Sequence, residues 1–286
     1  MNNNLLVLAA GASSRMRRSN TVADLSEEDI EAANTTSKAL IAVGSQGRPL
    51  MDFLLLNAKK AGYDNIYLIV AEDATNFKEH YGSKTRNNSY QGLQLSYAIQ
   101  YIPSTREKPF GTADALTQAL EQYPHLQKET FTVCNCDNLY SENALRALIE
   151  LPHQNAFIAY DRAGLKFSMD RISQFALVVL DDLGHLIDIV EKPTEKVVES
   201  YMDKQGKLRV SMNIFKLDGA SLFPFLKKCP VHPERNEKEL PTAILNYCNT
   251  HPGNFKAILF NEHVPDLTSK EDIPKLKAYL RKNYQN

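Results

Sequence analysis

The sequence predicts an α/β fold, a mostly parallel sheet covered on both faces by helices. Through the first half, short apolar runs of strand length alternate with segments of helical patterning, the βαβα rhythm of a parallel sheet. The chain has 286 residues, of which 43% are hydrophobic, so it can build a real core as one large domain or two small ones.

The first expected strand, residues 5–10, runs into Gly11-Ala12-Ser13-Ser14-Arg15. A strand that breaks into a small-residue glycine loop ending in a cation brings bare backbone N–H groups and one guanidinium up to a phosphate. A nucleotide is therefore the first ligand to consider, although an ordinary βα turn with a solvated arginine would read the same way. Residues 17–37 form a polar insertion in which Ser26 is placed to cap a short acidic helix starting at Glu27; the insertion is either a lid or a solvated excursion. Residues 49–61 read as a helix, with Pro49 suited to the first helical position and Gly62 to the residue just past the end.

Further strands are expected at 65–71, 93–102 and 130–134, with a helix over 141–149. The Gly11 loop and Asp137 both follow strand ends, and ligands of parallel sheets gather at the carboxyl ends of strands. The second half is richer in strands, at 155–160, 175–180, 186–190 and 208–217. Helices near 221–228 and 240–248, a strand at 255–260 and a terminal helix at 270–282 complete the pattern. No Pro, Gly or Ser linker divides the chain and no repeat is visible, so residues 1–286 are expected to form a single domain. Its halves are about 1–150 and 151–286.

Composition narrows the partners. A formal net charge of -1 and a pI near 6.7 provide no global field for nucleic acid or an anionic membrane. No apolar run approaches the ~18 residues of a membrane span, and the expectation is a cytoplasmic protein. Of the four cysteines, Cys134 and Cys136 lie two apart in an apolar run, with no second pair or histidine to complete a zinc-type set. Buried reduced thiols are expected, with no disulfide framework.

Six short motifs occur in order: Gly11-x-x-x-Arg15-Met16, Ser37-Lys38-Ala39-Leu40, Phe110-Gly111-Thr112-Ala113-Asp114-Ala115, Asn135-Cys136-Asp137-Asn138, Glu191-Lys192-Pro193 and Asp266-Leu267-Thr268-Ser269-Lys270-Glu271-Asp272. Together they resemble the sugar-1-phosphate nucleotidyltransferases over nearly the whole chain. The resemblance implies a Rossmann-like sheet with a nucleotide-binding first half and a sugar-binding second half. In that reaction a sugar phosphate oxygen attacks the α-phosphorus of a nucleoside triphosphate, pyrophosphate leaves and a nucleotide-sugar forms. The nucleophile is already anionic, so catalysis rests on alignment and charge neutralisation.

The resemblance puts Arg15 and Lys38 on the triphosphate and makes Asp137 and Asp266 ligands of Mg2+. It assigns Ala10, Gly11, Ala12, Gly111 and Thr112 to the nucleotide. Gln100, on the strand just before, could contact the base through its amide. Glu191 and Lys192 fall where a sugar phosphate is bound, and Asn213 falls beside the sugar, although an asparagine in an apolar strand could equally be satisfied by buried protein partners. Around Asp266 the pattern departs from the family's Trp-x-Asp-x-Gly-Thr context: Val264 replaces the tryptophan and Thr268-Ser269 the Gly-Thr. The opening also resembles cytidylyltransferases and guanylyltransferases that act on other phosphate acceptors. A non-catalytic nucleotide-binding protein is a third reading, and homo-oligomer formation stays open.

Overall fold

In the computed structural model, which describes residues 3–20, 25–191 and 198–284, ten strands join into one sheet. They are β1 (Asn4–Leu8), β2 (Asn65–Ala71), β3 (Asn88–Tyr90), β4 (Leu93–Gln100), β5 (Thr130–Asn135), β6 (Ala156–Asp161), β7 (Leu177–Leu180), β8 (Leu186–Val190), β9 (Arg209–Asp218) and β10 (Lys256–Phe260). Eight of them lie in the order β10-β6-β9-β5-β1-β2-β4-β3, and β7, paired to β8, hangs from β9. The pairs β5-β1, β1-β2, β2-β4 and β10-β6 are parallel. β3 and β9 run against their neighbours.

The side chains of β1 explain why the sheet needs cover on both faces. Leu5 and Val7 enter one core with Leu54, Leu145 and Ile273, while Leu6 enters the other with Leu116, Leu222 and Ile244. The first core is closed by α3 (Leu50–Ala61), α6 (Glu142–Glu150) and α10 (Asp272–Asn283). The second is closed by α5 (Thr112–Gln122), α8 (Gly219–Lys227) and α9 (Leu240–Thr250). The shorter helices are α1 (Ser14–Arg18), α2 (Glu27–Thr35), α4 (Thr75–Tyr81) and α7 (Met169–Ile172).

Local chemistry sets the element ends. Gly62 closes α3 with φ 107, a conformation that glycine adopts without steric cost, but Pro49 caps that helix with extended backbone instead of entering its first turn. Ser26 caps α2 by accepting from Asp29 N–H at 3.2 Å, as its position in the sequence implied. All four cysteines are buried and free. β5 lies between β1 and the reversed β9, so β1 and β5 end side by side where the chain crosses to opposite flanks of the sheet. That is the switch point at which ligands of such sheets bind. Among the described residues, no helix is long and apolar enough to cross a membrane.

Candidate active site

The loop after β1 forms one wall of a cavity of about 400 Å³. Ala9 N–H still bonds Ile69 O at 2.8 Å, after which the chain turns away from β2. Ser13 takes a left-handed conformation, φ 52 and ψ 25, and its buried hydroxyl accepts from Lys38 N–H at 3.3 Å. This contact fixes the one-turn helix at 38–40 beside the loop. Gly11 faces open space: a Cβ there would meet nothing within 4 Å. Glycine here leaves the cavity open and does not answer to an unusual φ. Ala10, Gly11, Ala12 and Arg15 all line the cavity.

Lys38 Nζ forms an ion pair with Asp137 Oδ2 across this cavity, both side chains being largely shielded. Burial works against the ammonium, but the Asp137 carboxylate, through its charge and its hydrogen bond, outweighs it and holds the lysine above its ordinary range. It is a firm cation. Asp137 follows β5 and is tied to a later loop by two backbone bonds, Leu267 N–H to Asp137 O and Leu139 N–H to Pro265 O, each 2.8 Å. A β-bridge between Asn138 and Asp266 completes the stitch.

The two expected metal carboxylates therefore sit on bonded loops, yet they open on different cavities. Asp266 lines a neighbouring space of about 260 Å³ with Lys166, Arg171, His263 and Asp272. It is ion-paired to Arg171. Burial pushes its carboxyl up to about 6, the Asp272 and Asp137 charges adding to the effect and Arg171 opposing it. Among the described residues no cluster of three His, Cys, Asp or Glu could hold a metal. A hard ion that keeps waters and takes phosphate oxygens asks for only one or two carboxylates. Asp137 and Asp266, whose charges oppose one another, fit that demand.

Gly111 is required for a reason other than ligand approach. Its φ is 100, and a Cβ would lie 2.3 Å from the backbone oxygen of Lys238. The loop is sewn to that segment by Lys238 N–H to Phe110 O at 2.7 Å, Ala113 N–H to Lys238 O at 3.0 Å and Leu240 N–H to Thr112 Oγ1 at 2.9 Å. The missing side chain at Gly111 thus makes room for another stretch of the chain at the rim of the cavity. Gln100 is buried and donates through Nε2 to Gly111 O at 3.1 Å and Asp114 Oδ2 at 3.0 Å. Gln100, Gly111 and Thr112 all line the larger cavity.

Of the three expected sugar-side residues, the two that are described stand apart. Glu191 is exposed and pairs with Arg235 Nη1 at 2.8 Å, outside the residues that line either cavity. Lys192 lies outside the described residues. Asn213 is exposed, with φ 56, at a bulge where the β6-β9 register shifts. Of the two readings of this residue, sugar contact or buried protein partners, its exposure does not favour the second, and asparagine tolerates the left-handed conformation that the bulge requires. It lies one position beyond Ile214, the partner of Cys134, and so level with Asn135 at the end of β5.

Two charged cavity residues escaped the sequence reading, Lys108 and Glu237. Both sit in polar loops where nothing separates them from other surface charges.

The nucleotidyl transferase family matches residues 32–250 of this chain, a span that holds Lys38, Gln100, Gly111 and Asp137 and stops short of Gly11, Arg15 and Asp266. The bifunctional protein GlmU of Staphylococcus haemolyticus (strain JCSC1435) is 25% identical over 247 residues, 85% of this chain and 45% of that protein. The chain thus spans less than half the length of that relative. Among solved structures, UDP-glucose pyrophosphorylase complexed with UDP-glucose is similar with a TM-score of 0.72 at 16% identity, over 99% of this chain and 100% of that one. At that identity the likeness speaks for the fold.

Proposed function

The chain belongs to the nucleotidyl transferase family, and on that premise we propose that it transfers a nucleotidyl group from a nucleoside triphosphate to a sugar 1-phosphate. The observation that carries the reading is the convergence of Arg15, Lys38 and Asp137 with Gln100 and Gly111 on one cavity at the ends of β1 and β5. A phosphate oxygen of the sugar forms the new bond to the α-phosphorus as the bond to pyrophosphate breaks, and pyrophosphate leaves with the electron pair. No general base is required, since the nucleophile arrives ionised.

Positioning and charge are what the residues supply. Arg15 clamps phosphate oxygens with its planar fork, and Lys38 meets them as a point charge once the triphosphate competes with Asp137 for its ammonium. The backbone of Ala10, Gly11 and Ala12 lies along the phosphates, while Gln100, Gly111 and Thr112 hold the base end. Asp137 and Asp266 would hold a divalent cation, for which we propose Mg2+; when bound it neutralises the phosphate oxygens. Glu191, Lys192 and Asn213 remain our assignment for the sugar phosphate.

A matrix of the common nucleoside triphosphates against hexose and amino-hexose 1-phosphates, read by pyrophosphate release, tests this. Release that needs both substrates is the expected result. Release only with a non-sugar phosphate acceptor would favour the cytidylyl- or guanylyltransferase reading, for which the position of Glu191 on Arg235, away from the cavity, is the relevant observation. Nucleotide binding with no release in any combination would sink the enzymatic reading.

A further inference from the structure

Asp266 is not a free carboxylate. Arg171 on α7 ion-pairs through Nη2 with Asp266 Oδ1 and through Nη1 with Asp272 Oδ1 at 2.5 Å. The far side of Asp272 is fixed in turn: its Oδ2 accepts from Thr268 N–H at 3.0 Å, Ser269 N–H at 2.8 Å and the Ser269 hydroxyl at 3.0 Å. The guanidinium lies over the Phe167 ring, 4.7 Å from its centre. The Asp266 and Asp272 side chains are 8% and 4% exposed and Arg171 20%, so the clamp is shielded and held from three directions.

A carboxylate this deep keeps its charge only beside a compensating cation. Arg171 is one such cation and a divalent metal is another, and the two compete for the single charge of a shielded carboxylate whose Oδ1 meets Arg171 and whose Oδ2 accepts from the Thr268 hydroxyl at 3.4 Å. Resting on the proposed role of Asp266 as a metal ligand, we propose that Arg171 is its resident counter-cation, which a divalent metal has to displace, so that metal affinity here is set by an exchange of partners. Asp272 makes the exchange workable. Its oxygens keep hold of the guanidinium while Asp266 lets go, so Arg171 pivots on one carboxylate and is not cast into solvent. Arg171 is in this sense a positioning residue, acting on the metal through Asp266.

The test is Mn2+ binding by the full chain without nucleotide, measured by calorimetry. Arg171→Ala should bind Mn2+ about tenfold tighter or more, the equivalent of one charge-assisted hydrogen bond no longer competing. Arg171→Lys, which keeps the charge but cannot grip two carboxylates as a fork, should fall between Arg171→Ala and wild type. Lys275→Ala removes an equal charge from the same cavity wall and should leave affinity near wild type. Thermal unfolding gives a second readout: Mn2+ should raise the melting temperature of Arg171→Ala more than that of wild type.

Unchanged or weaker Mn2+ binding by both Arg171 variants overturns the exchange. Equal tightening by Lys275→Ala also overturns it, because local charge alone would then explain the effect. The metal assignment and the exchange fail separately. If Asp266→Asn does not weaken Mn2+ binding, the metal assignment itself falls; if Asp266→Asn weakens it while Arg171→Ala does not tighten it, only the exchange falls.

Discussion

Gly11 and His263 show how much a single position can carry. A methyl at Gly11 would meet no protein atom within 4 Å, so Gly11→Ala should keep its melting temperature while losing roughly tenfold or more in nucleoside triphosphate affinity. Equal binding by the variant would remove the ligand from this loop. Asp137→Asn should abolish metal-dependent turnover and also cost about 1–2 kcal/mol in urea unfolding, because it strips Lys38 of a shielded partner. His263 makes a different prediction. Burial, with Lys166 and Arg171 nearby, lowers its pKa from the ordinary 6.5 to about 4. The unfolded chain therefore takes up a proton near pH 6.5 that the folded chain refuses until about pH 4, and stability held above 6.5 drains away as pH falls through that window. Between pH 7 and pH 5 wild type should lose about 2 kcal/mol more than His263→Asn; parallel losses would show that another group controls the acid limb. At this scale the sequence was informative where a residue follows a strand end, as Gly11 and Asp137 do. It was silent on Glu237, a loop acid like any other, and left Asn213 undecided, since its exposure goes with a register shift between distant strands.

Elements meet through backbone more than through side chains at this site. The turn at residues 110–113 and residues 238–240 at the start of α9 exchange three hydrogen bonds, and Gly111 is the point of closest approach. Gly111→Ala should accordingly cost about 2–4 kcal/mol in urea unfolding, from the φ of 100 together with the collision on Lys238 O. The contrast with Gly11→Ala is the informative part, since loss of stability at both glycines or neither would contradict the distinction between room for ligand and room for chain. Thr112→Val, which removes the acceptor for Leu240 N–H, should cost nearer 1 kcal/mol. Most elements were legible because they are local: the cap of Ser26 on α2, the glycine stop of α3 and the alternation of helix and strand need only nearby residues. The pairing of the Gly111 loop with residue 238 was not, as nothing in either segment names the other.

On the scale of the whole molecule, the parallel sheet followed from the βαβα rhythm, but the place of β9 did not. An apolar run gives no sign of its direction or neighbours, and β9 lies reversed between β5 and β6. Residues 1–150 alone should therefore fail to fold to a monomer, since β5 would be left with an open edge; a cooperative, monomeric unfolding transition from that fragment would refute this. The same insertion orders events in time. While the chain is being synthesised, β1, β2, β4 and β5 are complete long before the strand that closes them, and roughly 80 residues, on the order of 4–16 s at ordinary elongation rates, separate the end of β5 from the end of β9. For that interval the nascent chain carries a sticky, half-built sheet, and its yield in a cell becomes a race between the ribosome and aggregation, with chaperones as the natural referee.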